Sequence, residues 1–519
     1  MTISLNWLKE YIDLPESPDE IGKALTSTGL EVESIHAIES VKGGLKGLVI
    51  GEVINCSKHP NADKLSLTTV DVGQSKPLAI VCGAPNVAAG QKVIVAVPGT
   101  TIYPVSGEPF TIKSTKIRGE VSEGMICAED EIGLGKSHAG IIVLTTQAAN
   151  GTLASDFYSV TSDSVIEIGL TPNRADAASH IGVARDLRAY FDRKIQWPSV
   201  DTFKADNQSL PITVKVENPD ACPRYSALTL SGVTVKESPA WLKNRLAAIG
   251  LSPINNIVDV TNFVCHELGQ PLHAFDAAQV KGKQVIVKYV AAGTKFTTLD
   301  NKERTLTGGD LMICNAEEGM CIAGVFGGIA SGISAATTSL FLESACFAPF
   351  SIRKTSNYHQ LKTDASFRFT RGTDPLITVY ALKRAALLIK EVAGGTISSE
   401  ITDLYPVKIE NRKIEVKYKN VDRLIGKVID REEIFSILKR LDIDVTSKSD
   451  DRFIVSVPPY RVDVLQEADV VEEILRIYGF NNIELSETDG TDYLADFPVR
   501  DFDKFRRTIG GQLSANGFF

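Results

Sequence analysis

The residues most able to do chemistry crowd between Pro458 and Gly479, where the sequence reads PPYRVDVLQEADVVEEILRIYG. Asp463, Glu467, Asp469, Glu472 and Glu473 put five carboxylates into eleven residues. Val470, Val471, Ile474, Leu475 and Tyr478 recur at helical spacing, so the stretch predicts an amphipathic helix stopped by Gly479. Asp469, Glu472 and Glu473 then stand at i, i+3 and i+4 and share a face, with Asp463 one loop upstream. Two chemistries fit. Oxygen-only donors suit a hard cation such as Mg²⁺, which takes one or two carboxylates with water or phosphate. An acidic first turn also complements the helix macrodipole while facing solvent, and spacing by itself favours this second reading.

A second set lies in the middle of the chain. His273 follows Pro271 in GQPLHAFD, and Glu343 is a carboxylate inside the apolar run LFLESA. Burying such a carboxylate without a donor is costly. By residue type alone, His273 reads as a satisfied structural histidine and Glu343 as half of a buried ion pair with Arg353 or Arg368. A third set, Lys58, Lys64, Lys113, Lys116 and Arg118, could track a phosphate backbone, or be ordinary surface charge. The stretch Gly133-Leu134-Gly135-Lys136-Ser137 imitates a phosphate loop, but Asp130 stands where that motif needs its first glycine, which rejects nucleotide binding there.

The elements that must hold these residues are legible in outline. Ser17-Pro18-Asp19-Glu20 is a capping box that opens a helix closed by Gly29. Runs at Leu48–Asn55, Leu65–Val72, Leu78–Val81 and Lys92–Val97 predict short strands of a small closed barrel of the OB type. A helical pattern over 171–190 is expected to pack back on the N-terminal helices, which makes the barrel an insertion. Residues 212–400 mix strands and helices, including helices at 257–268 and 376–393. Residues 401–475 read as strand, two helices and strand, a small winged-helix-like unit. A further amphipathic helix is expected near 500–514.

At 519 residues the chain is too long for one core. A hydrophobic content of 43% describes ordinary globular material, and a net charge of −9 argues against a uniformly basic nucleic-acid coat. The eight cysteines are scattered without a CxxC pair, which fits reduced thiols in a cytoplasmic protein. No apolar run reaches membrane-spanning length, so no membrane contact is expected. The N-terminus lacks the features of a signal peptide.

The segment RVDV…EADVVEEILRIYGFNNI resembles the signature of the β subunit of bacterial phenylalanyl-tRNA synthetases. Three pieces around 59–65, 82–86 and 117–127 resemble the tRNA-binding OB domain of several synthetases. The stretches VDVTN, GQPLHAFD, AGVFGG, LESA and LKTDAS resemble that β subunit's editing domain.

The resemblance implies a multidomain α+β chain: an N-terminal helical domain (1–39 plus 151–200) with an inserted OB-fold barrel (40–150), an editing domain (201–400), a winged-helix-like module (401–476) and the start of a synthetase-like domain (477–519). The family's chain runs on through the rest of that domain and an anticodon-binding domain. The resemblance further implies an editing pocket on Asn262, His273, Gly327, Glu343, Thr363 and Ala365. There glycine lets backbone amides approach a ligand, His273 and Thr363 handle water and ester, and Glu343 accepts the phenol of a misattached tyrosine. It implies that Asp463, Asp469, Glu472 and Glu473 bind Mg²⁺ shared with an α subunit that carries the ATP-dependent aminoacylation site. The partners implied are that α subunit, in a tetramer of two α and two β, and tRNA(Phe). A free-standing tRNA-binding or trans-editing protein and a non-catalytic assembly scaffold are the competing readings.

Overall fold

The structure is a computed structural model and describes residues 1–158, 160–484 and 501–518. The N-terminal unit departs from the expectation that it is helical. Its centre is an antiparallel sheet in the order Thr2–Ser4, Ser162–Gly169, Glu31–Glu39, with Ile166 opposite both Ile3 and Ile35. The helices Leu5–Leu8, Pro18–Ser27 and His180–Phe191 lie around it. The capping box at Ser17 and Glu20 forms as expected. In 171–190 the pattern breaks at Ser179, which caps the helix starting at His180.

The strands Glu31–Glu39 and Ser162–Gly169 are neighbours in space, and the whole of the barrel sits between them in sequence. Its sheet runs Met125–Ile126, Lys92–Ala96, Leu48–Lys58, Ser66–Asp71, Leu78–Cys82. The sheet nearly closes on itself, because Glu123 N–H donates to Ala79 O at 2.7 Å just before the strand at the opposite edge. Val53, Val70, Ile80, Val93 and Val95 fill one of its two small cores. The alternation of β-branched residues in the sequence is the pleat that puts them there.

Residues 212–404 build two five-stranded sheets, Thr213–Val216, Gln284–Tyr289, Leu311–Cys314, Gly319–Ile322, Phe326–Gly327, and Leu272–Asp276, Ser339–Cys346, Arg224–Ser231, Thr396–Ile397 with Thr402–Leu404. The second sheet is buried on both faces. Leu228, Leu230, Leu340 and Leu342 point into one core, Tyr225, Ala227, Phe341 and Ala345 into another. The first of these cores crosses the boundary expected between 200 and 201: it takes in Trp7, Leu8, Ile181 and Leu187, and Trp7 stacks on Phe263 at 4.5 Å. The N-terminal unit and the helical side of the middle region thus share one interior.

The last compact unit is a sheet in the order Arg412–Lys417, Arg452–Val457, Asp444–Lys448. Helices Tyr418–Ile425, Arg431–Arg440 and Glu467–Tyr478 pack on it through Val421, Ile434, Leu438, Val470 and Ile474. In the 477–519 stretch, residues 485–500 and 519 lie outside the described residues. A helix Phe502–Ala515, capped by Asp501, accounts for the pattern expected near 500–514.

Candidate functional site

Register brings the middle constellation together. His273 on the strand Leu272–Asp276 and Ala227 on Arg224–Ser231 both lie opposite Glu343 on Ser339–Cys346. Cross-strand partners project to the same face, so His273, Glu343 and Tyr225 (two residues along from Ala227) look into the same interior. The edge strand Phe326–Gly327 of the other sheet closes over them. A Cβ built on Gly327 would lie 2.9 Å from His273 Cε1 and 2.9 Å from Leu299 Cδ1. Only a residue without a side chain allows that approach.

Glu343 is 5% exposed and has no cation partner among the described residues. Arg353 donates to Thr370 O, and Arg368 is engaged by Ala178 O, Asp364 and His266, so the ion pair that residue type allowed does not form. The donor is Tyr225, whose hydroxyl gives a 2.7 Å hydrogen bond to Glu343 Oε2. Glu343 Oε1 has no partner among the described residues. Burial pushes the Glu343 pKa up to about 8, against a smaller opposing pull from the Tyr225 hydrogen bond. At neutral pH this carboxyl is mostly protonated. Burial also pushes the His273 pKa down to about 4, which keeps the ring neutral. His273 packs edge-on to Phe275 with centroids 4.4 Å apart and makes no side-chain hydrogen bond among the described residues. It is therefore not the satisfied structural histidine that its type suggested. A neutral ring with free nitrogens beside a neutral carboxyl can hold a polar ligand in an apolar setting.

The other three residues are placed differently. Thr363 is the N-cap of the helix Asp364–Phe369; its hydroxyl accepts from Ser366 N–H at 3.1 Å and donates to Val325 O at 2.9 Å. The hydroxyl ties the start of that helix to the turn leading to Gly327. Ala365, half-buried, packs against the same core as Tyr225. Asn262 sits half-buried on the helix Asn256–Leu268, with no side-chain hydrogen bond among the described residues. Sequence reasoning missed Tyr225. Its signal was a phenol beside Arg224 at the start of a strand otherwise made of small and aliphatic residues.

The acidic helix forms as Glu467–Tyr478, but its acids do not gather into a metal cage. Glu473 is buried, and both its oxygens accept from Arg476 at 2.7 and 2.6 Å; Arg461 also donates to Oε2. Burial would raise its pKa, yet Arg476 and Arg461 outweigh burial and hold it well below the usual carboxylate range. Asp463 is bound by Arg461 through two contacts of 3.1 Å. Asp469 accepts from the backbone N–H of Leu465 and Gln466 at the helix start. Glu472 alone is exposed.

Among the described residues no three His, Cys, Asp or Glu side chains are placed to hold a metal ion. In the folded chain Arg461 and Arg476 take up Asp463 and Glu473, while Glu472 and one Asp469 oxygen stay uncommitted among the described residues. These pairings join residues close in sequence: Arg461 precedes Asp463 by two, and Arg476 follows Glu473 by three. The network runs on into the N-terminal unit, where Arg476 reaches Asp186 Oδ1 at 3.2 Å and Arg174 binds both Asp176 and Asp186.

In the barrel, Lys58, Lys64, Lys113, Lys116 and Arg118 are all exposed, and none is ion-paired among the described residues. The His59 ring lies 3.3 Å from Ile117 O and ties the 58–64 loop to the 115–122 hairpin. Beside them opens a cleft of about 690 Å³ lined by Leu65, Cys82, Pro85, Lys113 and Ile117. The three barrel motifs meet at that cleft.

Comparison with known proteins decides the family. Residues 48–153 match a tRNA binding domain, 221–394 the B3/4 domain and 414–480 the tRNA synthetase B5 domain. The phenylalanine–tRNA ligase β subunit of Bacteroides thetaiotaomicron is 54% identical over 523 aligned residues, covering 100% of this chain and 64% of that relative. The chain belongs to the phenylalanine–tRNA ligase β-subunit family. That of Porphyromonas gingivalis is 52% identical over 492 residues, covering 94% of this chain and 60% of the relative. The chain therefore spans less than two thirds of the length of these β subunits. A solved N-terminal fragment of the phenylalanyl-tRNA synthetase β-subunit from Pyrococcus horikoshii aligns at 15% identity with a TM-score of 0.32, too loose a likeness to bear on the fold. His273, Glu343 and the other four residues expected in the editing pocket fall inside the B3/4 match, and the acids fall inside the B5 match.

Proposed function

We propose that this chain acts as the β subunit of a phenylalanine–tRNA ligase, and that its middle region hydrolyses tyrosine misattached to tRNA(Phe). The observation that carries the hydrolytic reading is Glu343: buried, bound by one phenol, unpaired with any cation among the described residues, and facing a neutral His273. A site that already holds the Tyr225 phenol on Oε2 has Oε1 left for a second phenol. A pocket for phenylalanine excludes one added hydroxyl poorly, whereas a pocket that hydrogen-bonds the hydroxyl rejects the analogue lacking it. Asn262, Gly327, Thr363 and Ala365 shape the pocket, and His273 holds the water or ester carbonyl. Hydrolysis adds water across the ester and returns tyrosine and a free 3′-terminal hydroxyl.

The proposal extends to an α subunit that carries ATP-dependent aminoacylation, in an assembly of two α and two β, and to tRNA held by the 40–150 barrel. A Mg²⁺ ion shared with that partner would have to take Glu472 and the free Asp469 oxygen from this chain, with Glu473 and Asp463 as arginine-locked anchors. The unpaired thiols fit a cytoplasmic setting, and among the described residues no helix is long and apolar enough to cross a membrane. The test is deacylation by the purified chain alone. Tyr-tRNA(Phe) is expected to lose its amino acid faster than Phe-tRNA(Phe), while Phe-tRNA synthesis is expected only after an α subunit is added. Equal rates for both esters would overturn the editing assignment.

A further inference from the structure

The stretch 349–372 carries five cations and one acid, Asp364, in a chain whose net charge is −9. Its first helix, Pro349–His359, buries Ile352, Thr355 and Ser356 and turns the opposite stripe outward. On that stripe Phe350 is 79% and Tyr358 61% exposed, with Arg353 and Lys354 exposed between them. The spacing of 350, 353, 354, 357 and 358 places them on one helical face. Large exposed aromatics usually find a partner, and two on one stripe with cations between them point to a specific surface.

None of Arg353, Lys354, Lys362 and Arg371 is paired with a carboxylate among the described residues; Arg353 donates to Thr370 O, and Arg371 donates to Phe367 O and lies 3.8 Å over the Phe367 ring. Burial and the nearby Arg353 guanidinium both lower the Arg371 pKa, as two cations facing one another without an acid would. This cationic, aromatic stripe is continuous with the turn at Thr363 and the helix Asp364–Phe369, the wall of the proposed hydrolytic pocket.

We propose that the face of Pro349–His359 is the landing strip for single-stranded RNA, specifically the unpaired 3′ end of a tRNA, with Phe350 and Tyr358 stacking bases and Arg353, Lys354, Lys362 and Arg371 taking phosphates. Unpaired cations alternating with exposed aromatic faces match the two features that single strands offer, a polyanionic backbone and π-faces. The inference rests on the hydrolytic reading for its direction, because a strand lying here delivers its terminal ester toward His273 and Glu343.

The test uses the full chain and a fluorescent single-stranded RNA ending in CCA. Wild-type protein should bind it, and Phe350→Ala and Tyr358→Ala should each weaken binding roughly five- to a hundredfold. Arg353→Gln and Lys354→Gln should each flatten the slope of log K against log salt by about 0.7. A photoreactive 3′-terminal nucleotide should crosslink within 349–372. Unchanged thermal unfolding of the variants shows that these exposed positions leave the fold intact. Crosslinks confined to 48–153, or affinities and salt slopes unchanged in all four variants, would overturn the proposal. So would variants that bind RNA normally but lose association with a co-expressed α subunit. Should wild-type chain fail to deacylate Tyr-tRNA while the crosslink still falls on 349–372, the hydrolytic reading fails and the RNA surface stands.

Discussion

The Tyr225 hydroxyl donates a 2.7 Å hydrogen bond to Glu343 Oε2 across 118 residues of sequence, and it is the only donor that reaches this buried carboxyl among the described residues. The pairing leaves Glu343 far from water without a compensating charge, and its elevated pKa follows from that.

The first prediction is a stability profile. The folded-state pKa of Glu343 is raised from 4.5 to about 8, so the folded protein holds a proton that the unfolded chain releases between those values. Its contribution is fully present below about pH 4.5 and is lost as pH rises through about 8. Glu343→Gln keeps the shape and removes the titration. Denaturant unfolding should show the variant gaining on wild type by on the order of a few kcal/mol between those limits, with the gain fading under acid conditions. A gain that does not change with pH would show that the carboxyl is already ionised in the fold.

The same titration should appear in selectivity. Ionised Glu343 accepts from a substrate phenol about twice as strongly as a neutral acid exchanges hydrogen bonds with it. The ratio of Tyr-tRNA to Phe-tRNA deacylation should therefore climb as pH passes through about 8, and the Glu343→Gln ratio should stay flat. A flat wild-type ratio between pH 6.5 and 9 contradicts this.

Gly327→Ala tests the approach of the two edge strands. The new methyl would sit 2.9 Å from the His273 ring, so the ring must move. Displacements near 1 Å cost on the order of a hundredfold in rate, whereas overpacking costs about 1–3 kcal/mol of stability. Deacylation should drop steeply while the chain stays folded; full activity would place His273 outside the reaction.

Much of this was legible in the sequence. The capping box at Ser17 and the barrel strands are local signals, written in residues a few positions apart. So was the oddity of Glu343 in an apolar run. What was hidden depends on long-range register. The polar strand Glu31–Glu39 shows no clean alternation, and it is a strand because Ser162–Gly169 pairs with it from beyond the barrel. Tyr225 could not be linked to Glu343 without knowing that their strands are neighbours. The arginine partners of Asp463 and Glu473 were equally close in sequence, but that Arg461 and Arg476 turn toward these two acids depends on the fold.

That arginine network yields a contrast between neighbours. Glu473→Gln strips a buried charge from Arg461 and Arg476 and should destabilise the isolated chain by about 3–5 kcal/mol. Glu472→Gln, on the exposed side of the same turn, should stay within about 0.5 kcal/mol of wild type. Urea unfolding of the two variants without added metal gives the comparison, and equal losses would mean the two acids share one environment.

The barrel should stand alone. Its two cores draw only on residues 41–160, and Gly151 N–H closes onto Ile50 O at 2.8 Å, so a piece covering 40–158 keeps nearly all of its contacts. It should unfold cooperatively and bind tRNA weakly. Replacing any one of Lys58, Lys64, Lys113, Lys116 or Arg118 with alanine should flatten the salt dependence by roughly 0.7–0.9. Binding that ignores salt would remove phosphate contact from the account.

The most direct measurement is the pair of deacylation rates, Tyr-tRNA(Phe) and Phe-tRNA(Phe), for wild type, Glu343→Ala and His273→Ala. Leaving a buried acceptor without its phenol costs about 1–3 kcal/mol, so wild type should favour tyrosine by roughly tenfold to a few hundredfold. Glu343→Ala should lose that preference, and His273→Ala should slow both esters while keeping it. A Glu343→Ala chain that still prefers tyrosine as strongly as wild type would contradict the account.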